Sequence, residues 1–129
     1  MHSRINMKPN KPKYTLFKNA TYALEGFVEI TKHESSFKLQ LLLFVVMNVV
    51  SWMLPISFFN SSVLSLSLFI PIIAEVTNSA IERVVDLVTV EHHIMAKRAK
   101  DAGATLVLLS LILTGLIWIV ILLDAFKIV

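Results

Sequence analysis

The segment Glu75-Val-Thr-Asn-Ser-Ala-Ile-Glu-Arg-Val-Val-Asp86 decides the fold, because it sets two glutamates, an asparagine and an aspartate at the end of a long apolar tract. Ionisable groups in such a setting are costly in lipid; they face a bundle interior or a wet cavity and usually serve a function. At about 100° per residue, with Glu75 as zero, Ser79 falls near +40°, Glu82 near −20°, Asp86 near +20° and Asn78 near −60°. These polar groups share one helix wall. Carboxylates and an amide converging where membrane meets water are equipped to hold a divalent cation and to move a proton. Phosphoryl transfer needs both.

Working outward, the surroundings of this segment read as membrane. The chain has 129 residues, 56% hydrophobic and 16% charged, too apolar for a soluble domain of its size. Residues 39–74 and 102–123 contain no Lys, Arg, Asp or Glu. The first tract holds one span and most of a second, and the other holds a third. The expected fold is all-α and polytopic, with transmembrane helices at about 36–54, 62–88 and 102–124. The polar half of the second must be buried against protein or line a cavity.

Basic residues set the orientation. Arg4, Lys8, Lys11, Lys13, Lys18, Lys32 and Lys38 precede the first span, and Arg83, Lys97, Arg98 and Lys100 surround the connection between the second and third. The loop around Pro55 to Ser62 is uncharged. By the positive-inside rule the N-terminus and the second connection are cytoplasmic, and the C-terminus is outside. Trp52 and Trp118 then fall toward the outer ends of their helices, as aromatic-belt residues do. The formal charge of +3 is topogenic, and nucleic acid is not an expected partner.

Residues 1–14 read as a flexible basic tail with Pro9 and Pro12. Over 15–32 the apolar Leu16, Phe17, Ala20, Ala23, Leu24, Phe27 and Val28 recur at helical spacing, which predicts an amphipathic helix on the membrane surface. Residues 33–129 form the transmembrane unit, entered through a turn at His33-Glu34-Ser-Ser. Pro71 inside the second span removes the hydrogen bond to the Ser67 carbonyl and predicts a kink. The apolar tract begins too late for a secretory signal peptide, and no cleavage site follows it. With no cysteine, disulfide and thiolate chemistry are excluded. The three glycines, Gly26, Gly103 and Gly115, are too scattered for a phosphate-cradling loop, so any nucleotide must be held by metal and side chains.

The run Glu75-x-x-Asn-Ser-Ala-Ile-Glu-x-Val-Val-Asp86, with Glu91-His-His93 and Ala99-Lys-Asp101 beyond it, resembles the signature of the prokaryotic diacylglycerol kinase family of small membrane lipid kinases. The resemblance extends from about Lys18 to Trp118 at constant spacing. It implies ATP as co-substrate, Mg2+ as cofactor, a membrane-lipid acceptor and a homotrimer with sites shared between subunits in the bacterial inner membrane. It makes Glu75 the general base, and gives Glu34 and Glu82 the cation. Tyr22, Glu34, Glu82, Glu91, His92, His93, Lys100 and Asp101 are implied on the nucleotide side. Asn78, Ser79, Asp86, Phe37 and Trp118 support the site or meet the substrate.

Some positions depart from that pattern. Thr15 stands where the diacylglycerol kinases commonly have arginine, Gln40 where glutamate is common, and Ala104 where serine is. Glu34-Ser-Ser-Phe37-Lys38 looks like the diacylglycerol branch, whereas Arg83 to Thr89 is common in the undecaprenol branch. The expected reaction is phosphorylation of the primary hydroxyl of diacylglycerol to phosphatidic acid, with undecaprenol as the alternative acceptor. A reading outside the kinases also stands on the residues alone, a small transporter or channel subunit using Glu75, Glu82 and Asp86 as a cation path.

Overall fold

The computed structural model describes residues 15–129, so the basic tail expected at 1–14 lies outside the described residues. The chain is helical along almost all of that length: α1 Leu16–His33, α2 Ser35–Met53, α3 Phe58–Ser67, α4 Phe69–Val88 and α5 Ile94–Ala125. Three stretches, Ser35–Met53, Phe58–Val88 and Ile94–Ala125, are long and apolar enough to cross a membrane.

Local chemistry accounts for the boundaries. Thr15, placed where the resembling kinases carry arginine, caps α1 by accepting from the Lys18 backbone N–H at 3.3 Å. Glu34 alone breaks α1 from α2, with extended backbone at φ −118° and ψ 112°. Edge-on contact of Phe27 with Phe37, ring centroids 5.6 Å apart, packs α1 onto α2. Leu54 is extended because Pro55 follows it, and Ser57 caps α3 by accepting from Asn60 N–H at 3.1 Å.

The second span is two helices meeting at Leu68, three residues before Pro71. Proline leaves the Ser67 carbonyl without its helical donor. α5 meets the break here: the Thr114 hydroxyl is shared between its own Ser110 carbonyl at 2.9 Å and that of Ser67 at 3.3 Å, and Trp118 Nε1 donates to the Ser67 hydroxyl at 3.2 Å. Trp118 is therefore turned inward and buried, where the sequence placed it in an outer aromatic belt.

α5 begins well before its apolar tract. Its 32 residues span about 48 Å at 1.5 Å per residue, against a hydrocarbon core of roughly 30 Å. The first two turns, Ile94 to Lys100, belong to the polar end of the molecule.

The interior is unusually polar and the exterior apolar. Phe37, Leu64, Leu68 and Trp118 are buried, but so are Ser51, Ser61, Ser67, Glu75, Asn78, Ser79, Ser110 and Thr114. Small hydroxyl residues let helices approach in lipid, where apolar burial gives no driving force. Gly103 marks the tightest approach. A methyl group there would overlap Asn78 Oδ1 and lie 3.3 Å from its Cγ, so only glycine lets α5 lie against α4 at this level.

Candidate functional site

The polar wall of α4 is built as the helical spacing requires, and α1, α2 and α5 supply its partners. Glu75 is buried at 6% exposure. Its carboxylate accepts from α2 at both oxygens: Ser36 Oγ at 2.8 Å on Oε1 and Gln40 Nε2 at 3.0 Å on Oε2. One turn on, Asn78 Nδ2 donates to Glu82 Oε1 at 3.2 Å, while its own Oδ1 is buried without a partner. The Ser79 hydroxyl donates to Glu34 Oε1, tying the α1–α2 junction to the middle of α4.

Arg83 closes this end. It is paired with Glu29 of α1 and reaches Glu34 Oε1 through Nη2 at 3.2 Å. Asp86 pairs with Lys100 of α5 at 2.6 Å. Lys97 pairs with Asp101 one turn along α5, also at 2.6 Å. The α1–α2 junction, the end of α4 and the start of α5 thus meet at one end of the bundle. Glu75 lies two turns, about 10 Å, further in than Glu82.

Beside this end is a cavity of about 440 Å³ lined by Asp86, Glu91, His92, His93, Lys97, Lys100 and Asp101, among others. His93 also caps α5, its Nδ1 accepting from Met95 N–H at 3.1 Å. A second cavity, about 300 Å³ and almost wholly apolar, runs from Gln40 past Pro71 to Thr114 and Trp118.

Of the residues expected at the site, Glu34 is bonded to Ser79 and Glu82 to Asn78. Asp86, Glu91, His92, His93, Lys100 and Asp101 share the first cavity. Glu75 sits deeper, under α2. Tyr22 is half-exposed on α1 and makes no hydrogen bond among the described residues. Phe37 is fully buried as packing, and Trp118 lies toward the far end of the bundle beside Ser67.

No group of three or more His, Cys, Asp and Glu gathers as a metal cluster among the described residues. The carboxylates expected to hold a cation are Glu34, which is also paired with Arg83, and Glu82. Each has one oxygen engaged by protein donors, leaving Oε2 free of protein hydrogen bonds among the described residues. Two hard carboxylates suit Mg2+, which commonly takes one or two protein ligands and completes its shell with water and substrate phosphate.

Three contributors escaped sequence reasoning. Ser36 and Gln40 stand four apart at the start of the first span and so share a face, which was a legible signal. Gly103 gave no local signal, since its role is to make room for Asn78.

The chain is similar to known proteins along most of its length. The family model described as prokaryotic diacylglycerol kinase matches residues 21–122. A diacylglycerol kinase of Pseudomonas aeruginosa is 36% identical over 107 residues, covering 82% of this chain and 87% of that protein. The corresponding enzyme of Helicobacter pylori strain 26695 is 34% identical over 103 residues, 80% of each chain. That of Escherichia coli K12 is 30% identical over 111 residues, covering 86% of this chain and 91% of its own.

Proposed function

This chain belongs to the prokaryotic diacylglycerol kinase family, and from that premise we propose that it moves the γ-phosphoryl group of ATP to the primary hydroxyl of diacylglycerol, giving phosphatidic acid. It is a membrane lipid kinase; the acceptor, the nucleotide, Mg2+ and the residue roles are the proposal. In the reaction the acceptor O–H proton passes to the Glu75 carboxylate. The acceptor oxygen bonds to the γ-phosphorus, the bond from that phosphorus to the β,γ-bridging oxygen breaks, and ADP leaves.

The observation that carries this reading is the two-level arrangement along α4. Glu75 is buried about 10 Å inside the level of Glu82, at the depth where the hydroxyl of a membrane lipid arrives. Glu82 and, through its bond with Ser79, Glu34 lie nearer the polar end, and Lys97 and Lys100 line the cavity at that end. Glu34 and Glu82 would hold Mg2+, which when bound neutralises phosphate charge. Lys100, once released from Asp86, has the length to reach phosphate oxygens, and Glu91, His92 and His93 line the nucleotide cavity. Asn78 orients Glu82, and Ser79 orients Glu34.

One three-helix chain leaves Glu82 and Asp86 of the polar wall partly uncovered, which supports assembly with further copies in the bilayer, and we assign a homotrimer with sites shared between subunits. The N-terminus and site face the cytoplasm of a bacterial inner membrane, with α1 lying along its surface. Purified protein in mixed micelles with labelled Mg-ATP tests the reading, given diacylglycerol and undecaprenol in parallel. Label on diacylglycerol is expected. Label on undecaprenol alone would move the acceptor to the other branch, and label on neither would reject lipid phosphorylation.

A further inference from the structure

Glu75 is held in a way that an ion pair would not give. Among the described residues no Lys, Arg or His reaches its carboxylate; the ion pairs of this end fall on Glu29, Glu34, Asp86 and Asp101. Ser36 and Gln40, one turn apart on α2, take one oxygen each at 2.8 and 3.0 Å. Gripping both oxygens fixes the plane of the carboxylate. Each oxygen still keeps lone-pair capacity toward an incoming proton.

Both partners are uncharged, and both can either donate or accept. A carboxylate calls for two donors, whereas the carboxylic acid formed after proton uptake calls for one donor and one acceptor. A hydroxyl meets that change by rotating its proton, and a primary amide meets it by turning over. A lysine or arginine in the same place could only donate, and would resist the proton's arrival by favouring the charged form.

The Gln40 amide carries a mark of this arrangement. Its Oε1 is buried with no partner, and Gln40 borders the apolar cavity that runs to Trp118. A carbonyl left in apolar surroundings is unfavourable. The amide keeps that orientation because its N–H group is turned to Glu75.

We infer that Ser36 and Gln40 are positioning residues for Glu75, aiming its carboxylate and staying bonded to it before and after it takes the proton. The inference rests on the assignment of Glu75 as base. Neither residue needs to touch the reacting atoms.

The test uses the full chain in mixed micelles with Mg-ATP and diacylglycerol, comparing Gln40→Leu and Ser36→Ala in the native and Glu75→Gln backgrounds. Each is expected to lower kcat roughly ten- to hundredfold, the scale of a hydrogen bond to a charged group. KM for Mg-ATP and the oligomer's elution volume should stay as they are. In the Glu75→Gln background neither change should lower kcat further, since both act through that carboxylate. Gln40→Glu, which can still hold Glu75 through a shared proton, should keep more of the native kcat than Gln40→Leu, whereas a purely space-filling role would favour the leucine.

Native kcat in Gln40→Leu and Ser36→Ala, beside a crippled Glu75→Gln, would overturn the inference and leave the base standing. Equal further losses in the Glu75→Gln background would overturn it too. Full turnover by Glu75→Gln would remove the base and this inference together. Should Gln40→Leu fail to assemble, Ser36→Ala in the two backgrounds and the turnover of Gln40→Glu decide the matter.

Discussion

Replacing Gly103 by alanine puts two effects of opposite sign against each other. Alanine in a helix interior is favoured over glycine by about 0.8–1 kcal/mol. Against this, the new methyl would overlap Asn78 Oδ1 and sit 3.3 Å from its Cγ, tighter than an ordinary contact. Relief requires either that α4 and α5 part, an overpacking cost of about 1–3 kcal/mol, or that Asn78 swings away and gives up its bond to Glu82, about 1.5–3 kcal/mol. Taking about 2 kcal/mol for whichever is cheaper, Gly103→Ala should destabilise the fold by about 1 kcal/mol net. With Asn78→Ala already present the obstruction is gone, and the next neighbour, Ile81 Cδ1, lies at an acceptable 3.6 Å. The same substitution should then stabilise by up to about 1 kcal/mol. Reversible unfolding by SDS in mixed micelles measures both changes. A loss of equal size in both backgrounds would refute the close-approach reasoning, because the sign must reverse when Asn78 is shortened.

Further outcomes follow from the other contacts. Glu34→Ala and Glu82→Ala should each raise the Mg2+ concentration needed for half-maximal activity, and the double variant should do little worse than the singles, as expected if both act through one cation. Lys100→Met should raise KM for Mg-ATP by about tenfold, matching one charge-assisted hydrogen bond, and nucleotide titration checks it. Thr114→Val removes a hydroxyl shared between the Ser110 carbonyl and the Ser67 carbonyl left open by Pro71, and should cost about 0.5–1.5 kcal/mol in the same unfolding assay. In a Pro71→Ala background that cost should shrink, because the helical donor is restored.

Much of the architecture was legible because membrane length and helical period are local properties. The charge-free tracts mark three spans, and the 3.6-residue period puts Glu75, Asn78, Ser79, Glu82 and Asp86 on one wall. The same pattern is silent about partners on other helices. Pro71 announces a defect, but nothing local says that the second span divides at Leu68 or that Thr114 and Trp118 meet Ser67 there from α5. Trp118 was misplaced because a belt position and a hydrogen-bonding position in the core look alike in one dimension. Arg83 shows the same limit: the sequence marks it only as a topogenic charge, whereas the fold sends it to Glu29 and Glu34.

The departures from the resembling family's pattern read differently once contacts are known. Thr15, in an arginine's place, caps a helix. Gln40, in a glutamate's place, holds Glu75 through a neutral amide. Residue identity alone could not separate these two outcomes, since each depends on what the fold brings within 3 to 3.5 Å.

The most direct measurement is the turnover of Glu75→Gln with Mg-ATP and diacylglycerol in mixed micelles, taken beside Mg-ATP binding and oligomer size. Glutamine keeps the side chain's shape and can still meet Ser36 and Gln40, but it cannot take the acceptor's proton. The account predicts that kcat falls by roughly 10²-fold or more, the scale of general-base catalysis, while nucleotide affinity and assembly persist. Turnover close to that of the native protein would contradict it, as would loss of the oligomer with normal activity in whatever remains assembled.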